Sequence, residues 1–189
     1  MEIGSIITIA VIALLVIIIV SFFISTYNGL IANRNRVRNQ KSQIDVELKR
    51  RFDLVPNLVE TVKGYANHEK TALEDVIKAR SNYVTVSGDT AQALAADNAL
   101  TGALSKLFAL SESYPELKAN TNFMSLQKEL SEIEKRIVFA RQFYNDSVLK
   151  FNNKIEMFPS NIVAGMFKFT TEPFFEAAES ERQNVTVSF

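Results

Sequence analysis

Residues Ile3 to Ile24 carry no charged side chain, and 18 of these 22 residues are Ile, Val, Leu, Phe or Ala. A helix of that length spans roughly 33 Å, against about 30 Å for the hydrocarbon core of a bilayer. The polar exceptions, Ser5, Thr8 and Ser21, can bond back to carbonyls of their own helix. A cleaved signal peptide fits poorly. The start carries Glu2 and no Lys or Arg, the run exceeds an ordinary signal core, and no A-x-A-like site follows Phe23 and Ile24. Residues 1–26 therefore read as a retained transmembrane anchor.

The flanks of this segment predict its orientation. Arg34, Arg36, Arg38 and Lys41 follow it, and no acid appears until Asp45. Basic flanks stay in the cytoplasm. The expectation is a single-pass protein with its N-terminus outside and its C-terminal domain in the cytoplasm. The same four residues are candidate contacts for anionic lipid headgroups, at about 1 kcal/mol each near a charged leaflet.

Composition narrows the chemistry. Lys plus Arg number 21 and Asp plus Glu number 21, so no basic excess points to a nucleic-acid partner. There is no cysteine, which excludes disulfides, a thiol nucleophile, Cys-bound zinc and a lipid-modified Cys. His68-Glu69 begins like a zinc-protease motif, but position 72 is Ala and the second ligand is missing. One histidine and no nucleophile elbow leave no serine-hydrolase arrangement. The six glycines form no phosphate loop. The sequence thus offers no catalytic, cofactor-binding or metal residues, requires no cofactor, and reads as a non-enzyme. Asp53 beside Arg50 and Arg51 is expected to cap a helix.

Residues 27–157 carry helical core lines. Leu30, Val37 and Ile44 recur every seven residues, and Leu48 and Phe52 continue at four. Asn28-Gly29 is the weak point, where a kink is expected. Asp53 to Pro56 reads as a restart of a second helix, with lines through Val55, Val62, Val76 and Tyr83 and through Leu58, Tyr65, Ala72, Ala79 and Val86. A third helix opens at Asp89 or Thr90, carries Ala93, Leu100, Leu107 and Tyr114 beside Ala96, Ala103 and Leu110, and stops at Tyr114-Pro115. A fourth places Phe123, Leu130, Ile137, Tyr144, Phe151 and Phe158 seven apart, with Leu126, Ile133 and Ala140 offset. The expected fold is all-α: a transmembrane helix continuing into an antiparallel four-helix bundle of long helices, with a Phe-rich C-terminal tail.

That tail, residues 158–189, contains Phe167, Phe169, Phe174 and Phe175 and is interrupted by Pro173. Burying one Phe is worth about 1.5–3 kcal/mol, so these side chains need a packed solution. They can fold back on the bundle, dock on a neighbouring subunit, or bind a partner or the bilayer. The favoured expectation is a clasp across the membrane-distal or lateral face, its acids Glu172, Glu176, Glu179 and Glu181 facing Lys49, Arg50 and Arg51. The final Val185 to Phe189 alternates like a strand, and short helices are expected after Pro159 and Pro173.

Three blocks resemble the LemA family. The first is Arg50-Arg51-Phe52-Asp53-Leu54-Val55-Pro56-Asn57-Leu58-Val59-Glu60-Thr61-Val62-Lys63-Gly64-Tyr65-Ala66. The second is Ala140-Arg141-Gln142-Phe143-Tyr144-Asn145. The third is Phe158-Pro159-Ser160-Asn161-Ile162-Val163-Ala164-Gly165-Met166-Phe167, followed by Pro173-Phe174-Phe175-Glu176-Ala177. The resemblance covers roughly Tyr27 to Phe189. It implies a bacterial membrane protein with an N-terminal anchor, a long-helix bundle and no established enzyme activity. One branch of the family belongs to magnetosome membranes. The implied role is a membrane-associated, non-enzymatic scaffold or adaptor in the bacterial inner membrane, in contact with the bilayer and other membrane proteins. Self-association through the bundle and tail is expected as well, since the Ile-rich anchor carries no small-xxx-small seam. The alternative is a membrane-tethered sensory or ligand-binding bundle facing outside the cytoplasm. It needs a pocket, and the continuous core lines suggest none.

Overall fold

A computed structural model describes residues 3–66, 68–85 and 90–175, and every regular element among them is helical. The α-helices are α1 (Ile3–Lys63), α2 (Lys70–Thr85), α3 (Thr90–Leu110), α4 (Pro115–Lys118), α5 (Thr121–Glu156) and α6 (Ser160–Met166). A 3-10 turn at Ser111–Ser113 separates α3 from α4. Two compact units hold the described residues. The first draws on Met1–Lys41 and Phe143–Phe174, the second on Ser42–Gln142 and Phe175–Phe189.

The restart expected at Asp53 is absent: α1 runs unbroken for 61 residues with Pro56 inside it. Proline lacks the N–H that would bond the Phe52 carbonyl, four residues back. Arg80 of α2 takes over that carbonyl. Its Nε donates to it at 3.4 Å, and its guanidinium lies 4.0 Å from the centre of the Phe52 ring. Around the proline, Val55, Leu58, Val59 and Val62 are all buried. At about 1.5–3 kcal/mol each, their burial outweighs the cost of about 3 kcal/mol for an interior proline. Asp53 is no cap; it pairs with Lys49 one turn back at 3.1 Å.

The break comes ten residues later than expected, at Gly64 and Tyr65, inside the segment read as one helix. The amides of Tyr65 and Ala66 both donate to the Val62 carbonyl and close the last turn. Tyr65, expected on the core line, is exposed, and Ala66 is buried in its place. The Tyr65 hydroxyl accepts from Asn120 Nδ2 at 2.9 Å, while Asn120 Oδ1 caps α5 through the Phe123 amide at 2.9 Å. Gly29 also lies inside helical α1, where its missing Cβ leaves room for the Lys154 ammonium. Pro115 does not end the third helix: α3 stops at Leu110, and Pro115 opens α4 from a position whose amide is free.

In the second unit, Leu58, Val62, Val76, Leu100, Leu107, Leu117, Phe123 and Leu130 form one apolar core. Ala79, Ala96 and Ala103 are buried too, as small residues are where helices approach closely. In the first unit, Leu30, Val37, Tyr144, Val148, Phe151, Val163 and Ala164 are buried. The α5 line predicted from Phe123 to Phe151 is buried at every step. Phe158 departs from it and is 78% exposed, because α5 ends at Glu156 and Phe158 lies beyond the helix. The strand-like stretch Val185 to Phe189, a helix after Pro173, and Glu176, Glu179 and Glu181 lie outside the described residues.

Candidate functional site

In the first unit an aromatic cluster forms where the apolar run ends. Tyr27 stands three residues beyond Ile24. Its ring centre lies 4.6 Å from that of Phe167 and 6.0 Å from that of Phe169. Phe169 also meets Phe151 of α5 edge-on at 6.3 Å, and the Arg34 guanidinium lies 5.3 Å from the Phe169 ring centre. The local sequence explains how the chain reaches this position. The Phe169 amide donates to Ala164 and the Lys168 amide to Gly165, which is the Schellman pattern closing α6. Lys168 takes the left-handed conformation (φ 55°) usually given to glycine, and this turns Phe169 inward.

Polar contacts hold the next stretch. Asn152 Nδ2 donates to the Glu172 carbonyl at 2.9 Å, and the Glu172 amide donates to Asn152 Oδ1 at 3.0 Å. The buried Tyr144 hydroxyl donates to the Pro173 carbonyl at 3.0 Å. Burial, and secondarily the Glu172 charge, push the Tyr144 phenol above its ordinary pKa.

Of the basic residues expected at the headgroups, Arg34 is half-buried against Phe169, whereas Arg36, Arg38 and Lys41 are exposed. Of the tail aromatics, Phe169 is half-buried, while Phe167 and Phe174 keep exposed faces. Phe175 belongs to the second unit, where the Arg141 guanidinium lies 5.8 Å from its ring centre.

Lys49, Arg50 and Arg51 each have a carboxylate partner among the described residues, while Glu176, Glu179 and Glu181, three of the four tail acids expected to face them, lie outside those residues. Lys49 pairs with Asp53, and Arg50 with Glu129 at 2.9 Å. Arg51 is buried in an ion pair with Asp97 and also pairs with Glu134. It donates to the Thr101 hydroxyl at 3.0 Å and to the Asp97 carbonyl at 3.3 Å. Arg141 approaches the other Asp97 oxygen at 2.5 Å. Asp97 thus sits between two guanidinium groups, and Arg51 between two carboxylates. A surface cavity of about 310 Å³ adjoins it, lined by Arg51, Thr101, Leu104, Ser105, Phe108, Gln127, Leu130, Ser131, Glu134 and Lys135.

The sequence carried a signal for Arg51. It continues the line Leu30, Val37, Ile44 at the same spacing, and buried Leu58 follows it. Among the described residues no group of three or more His, Cys, Asp or Glu side chains is placed to hold a metal ion.

A family model described as the LemA family matches residues 40–189. Protein LemA of Metamycoplasma hominis is 28% identical over 169 residues, covering 88% of this chain and 76% of the relative. Magnetosome protein MamQ 2 of Paramagnetospirillum magneticum is 26% identical, covering 87% and 72%. Magnetosome protein MamQ of Magnetospirillum gryphiswaldense is 22% identical, covering 88% and 70%.

Proposed function

The chain belongs to the LemA family, and from that premise we propose that it is a membrane-anchored, non-enzymatic helical scaffold or adaptor that self-associates. One observation carries the reading. Within the single helix α1, residues Ile3 to Phe22 are exposed all round, whereas Leu30, Val37, Ile44 and Leu48 bury one face. An apolar helix without a protein partner fits a single-pass membrane segment, and an amphipathic continuation fits a packed domain. The likeness to magnetosome proteins supports a membrane-associated role. The burial of Arg51 against Asp97 supports a structural use of these ionic groups.

The domain is an antiparallel four-helix bundle in this reading. The pairs Glu47–Arg136 and Arg50–Glu129 support it, since later residues of α1 meet earlier residues of α5. Self-association is supported by apolar side chains left in water. Val138 and Phe139 are 55% and 58% exposed in the second unit, and Phe143 and Leu149 are exposed in the first. The bundle faces the cytoplasm, because Arg36, Arg38 and Lys41 stand exposed just beyond the apolar run.

The cavity beside Arg51 favours a second reading, a ligand-binding bundle outside the cytoplasm. Topology separates the two. A reporter fused after Phe189 is expected to be active as a cytoplasmic reporter, and exchanging Arg34, Arg36, Arg38 and Lys41 for Gln should give mixed orientation. Activity only as a periplasmic reporter would favour the second reading and reject the first.

A further inference from the structure

We propose that α6 and the turn before it are a second membrane contact, lying in the headgroup–acyl boundary of the bilayer that the anchor spans. The inference rests on the reading of Ile3 to Ile24 as a membrane span. Two contacts set the level of this segment. Phe167 packs on Tyr27, and the Lys154 ammonium sits against Gly29. Tyr27 lies only about 4.5 Å along the helix beyond Ile24. Tyrosine at that depth is the usual marker of a membrane–water boundary.

At this level the chain leaves an apolar surface uncovered. Met157, Phe158, Ile162, Met166 and Phe167 are each between 51% and 78% exposed. Ile162 and Met166 share one face of α6, while Val163 and Ala164 on the opposite side are buried in the unit. An aqueous surface would not favour five large apolar side chains so close together. A bilayer boundary does, because a surface-lying helix buries its apolar face about 5–10 Å into it. Charge agrees with a lipid occupant. Between Glu156 and Glu172 the single charged residue is Lys168, so the apolar stretch itself carries a positive charge, which suits an anionic leaflet. The surface is continuous with the anchor, so the bilayer reaches it without any new component.

The cysteine-free chain makes the test direct. Full-length protein carrying Phe158→Cys, Ile162→Cys or Met166→Cys is labelled with an environment-sensitive dye. It is then reconstituted into vesicles of phosphatidylcholine and phosphatidylglycerol. Ile12→Cys reports the anchor, and Glu116→Cys on α4 is the water reference. Lipids bearing a quencher high on the acyl chain should quench the dye at 158, 162 and 166 several-fold more than at 116. Lipids quenching near the chain end should act mainly at 12. If 12 is quenched but 158, 162 and 166 behave like 116 and stay open to aqueous iodide, the anchor stands and the second contact is wrong. If those three positions escape both lipid quencher and iodide, another copy of the chain covers them and the inference is also wrong. No quenching at 12 would overturn the anchor and, with it, this contact.

Discussion

Arg51 and Asp97 form an ion pair in which only 1% and 2% of the two side chains remain exposed. Glu134 also pairs with Arg51, and Arg141 with Asp97. Removing one partner from such a pair leaves a buried charge uncompensated, at a cost of about 3–5 kcal/mol. Asp97→Ala should therefore lower the thermal midpoint of the full-length protein in detergent sharply. Replacing the pair together, Arg51→Met with Asp97→Leu, should recover much of the loss, because apolar replacement of a buried pair is often neutral or stabilising. Circular dichroism melts of the three proteins check this. A single variant as stable as the parent would show that the pair is not buried.

Pro56 and Arg80 make a second coupled pair through the Phe52 carbonyl. Arg80→Met should destabilise by about 1–2 kcal/mol by leaving that acceptor without its partner. Pro56→Ala restores the helical amide and should raise stability. In the Pro56→Ala background Arg80→Met should cost less, and the double-mutant cycle measures the difference. Strict additivity would mean that Arg80 does not serve the gap left by the proline.

Phe169 is the inward-facing aromatic of the tail, with Tyr27, Phe151 and Arg34 against it. Phe169→Ala should cost about 2–3 kcal/mol, near the transfer value for one aromatic side chain. Phe174, which remains more exposed, should tolerate the same change with little effect. Limited proteolysis should reach the segment after α6 faster in the Phe169 variant alone. Equal sensitivity of both variants would contradict the placement.

Tyr144 gives a pH dependence with a defined sign. Its phenol is raised in the folded state by burial first and by Glu172 second. The resulting stability is fully present below the unfolded value of about 10 and is lost as pH rises through the folded value. Melting temperature should fall as pH rises from about 10 toward the folded value, and the fall should be shallower in Tyr144→Phe. Tyr114, raised by its hydrogen bond to Glu69, contributes in the same direction. An unchanged alkaline slope in Tyr144→Phe would assign the effect elsewhere.

The long elements were legible because their pattern is strong. The apolar run and the α5 line from Phe123 to Phe151 follow from hydrophobicity alone. The breaks were not legible, because they depend on distant partners. Pro56 looks like a helix start until Arg80 is seen at the carbonyl it leaves open. The next step of the line Leu30, Val37, Ile44 is the charged Arg51, and hydrophobicity alone steers the line to Leu48 and Phe52 instead. Once α1 is continuous, Arg51 falls in the core and demands carboxylates, which Asp97 and Glu134 supply from α3 and α5. The tail aromatics are visibly too apolar for water in the sequence itself. Their position at Tyr27 depends on the left-handed turn at Lys168, a conformation that a lysine does not announce.

Self-association through the anchored domain is the central claim, and the size of the full-length protein in lipid nanodiscs extracted directly from membranes tests it. Mass photometry should find assemblies of more than one copy, and Val138→Asp with Phe139→Asp should convert them to single copies while the helical signal is kept. A parent protein that is a single copy at every concentration would contradict the scaffold reading.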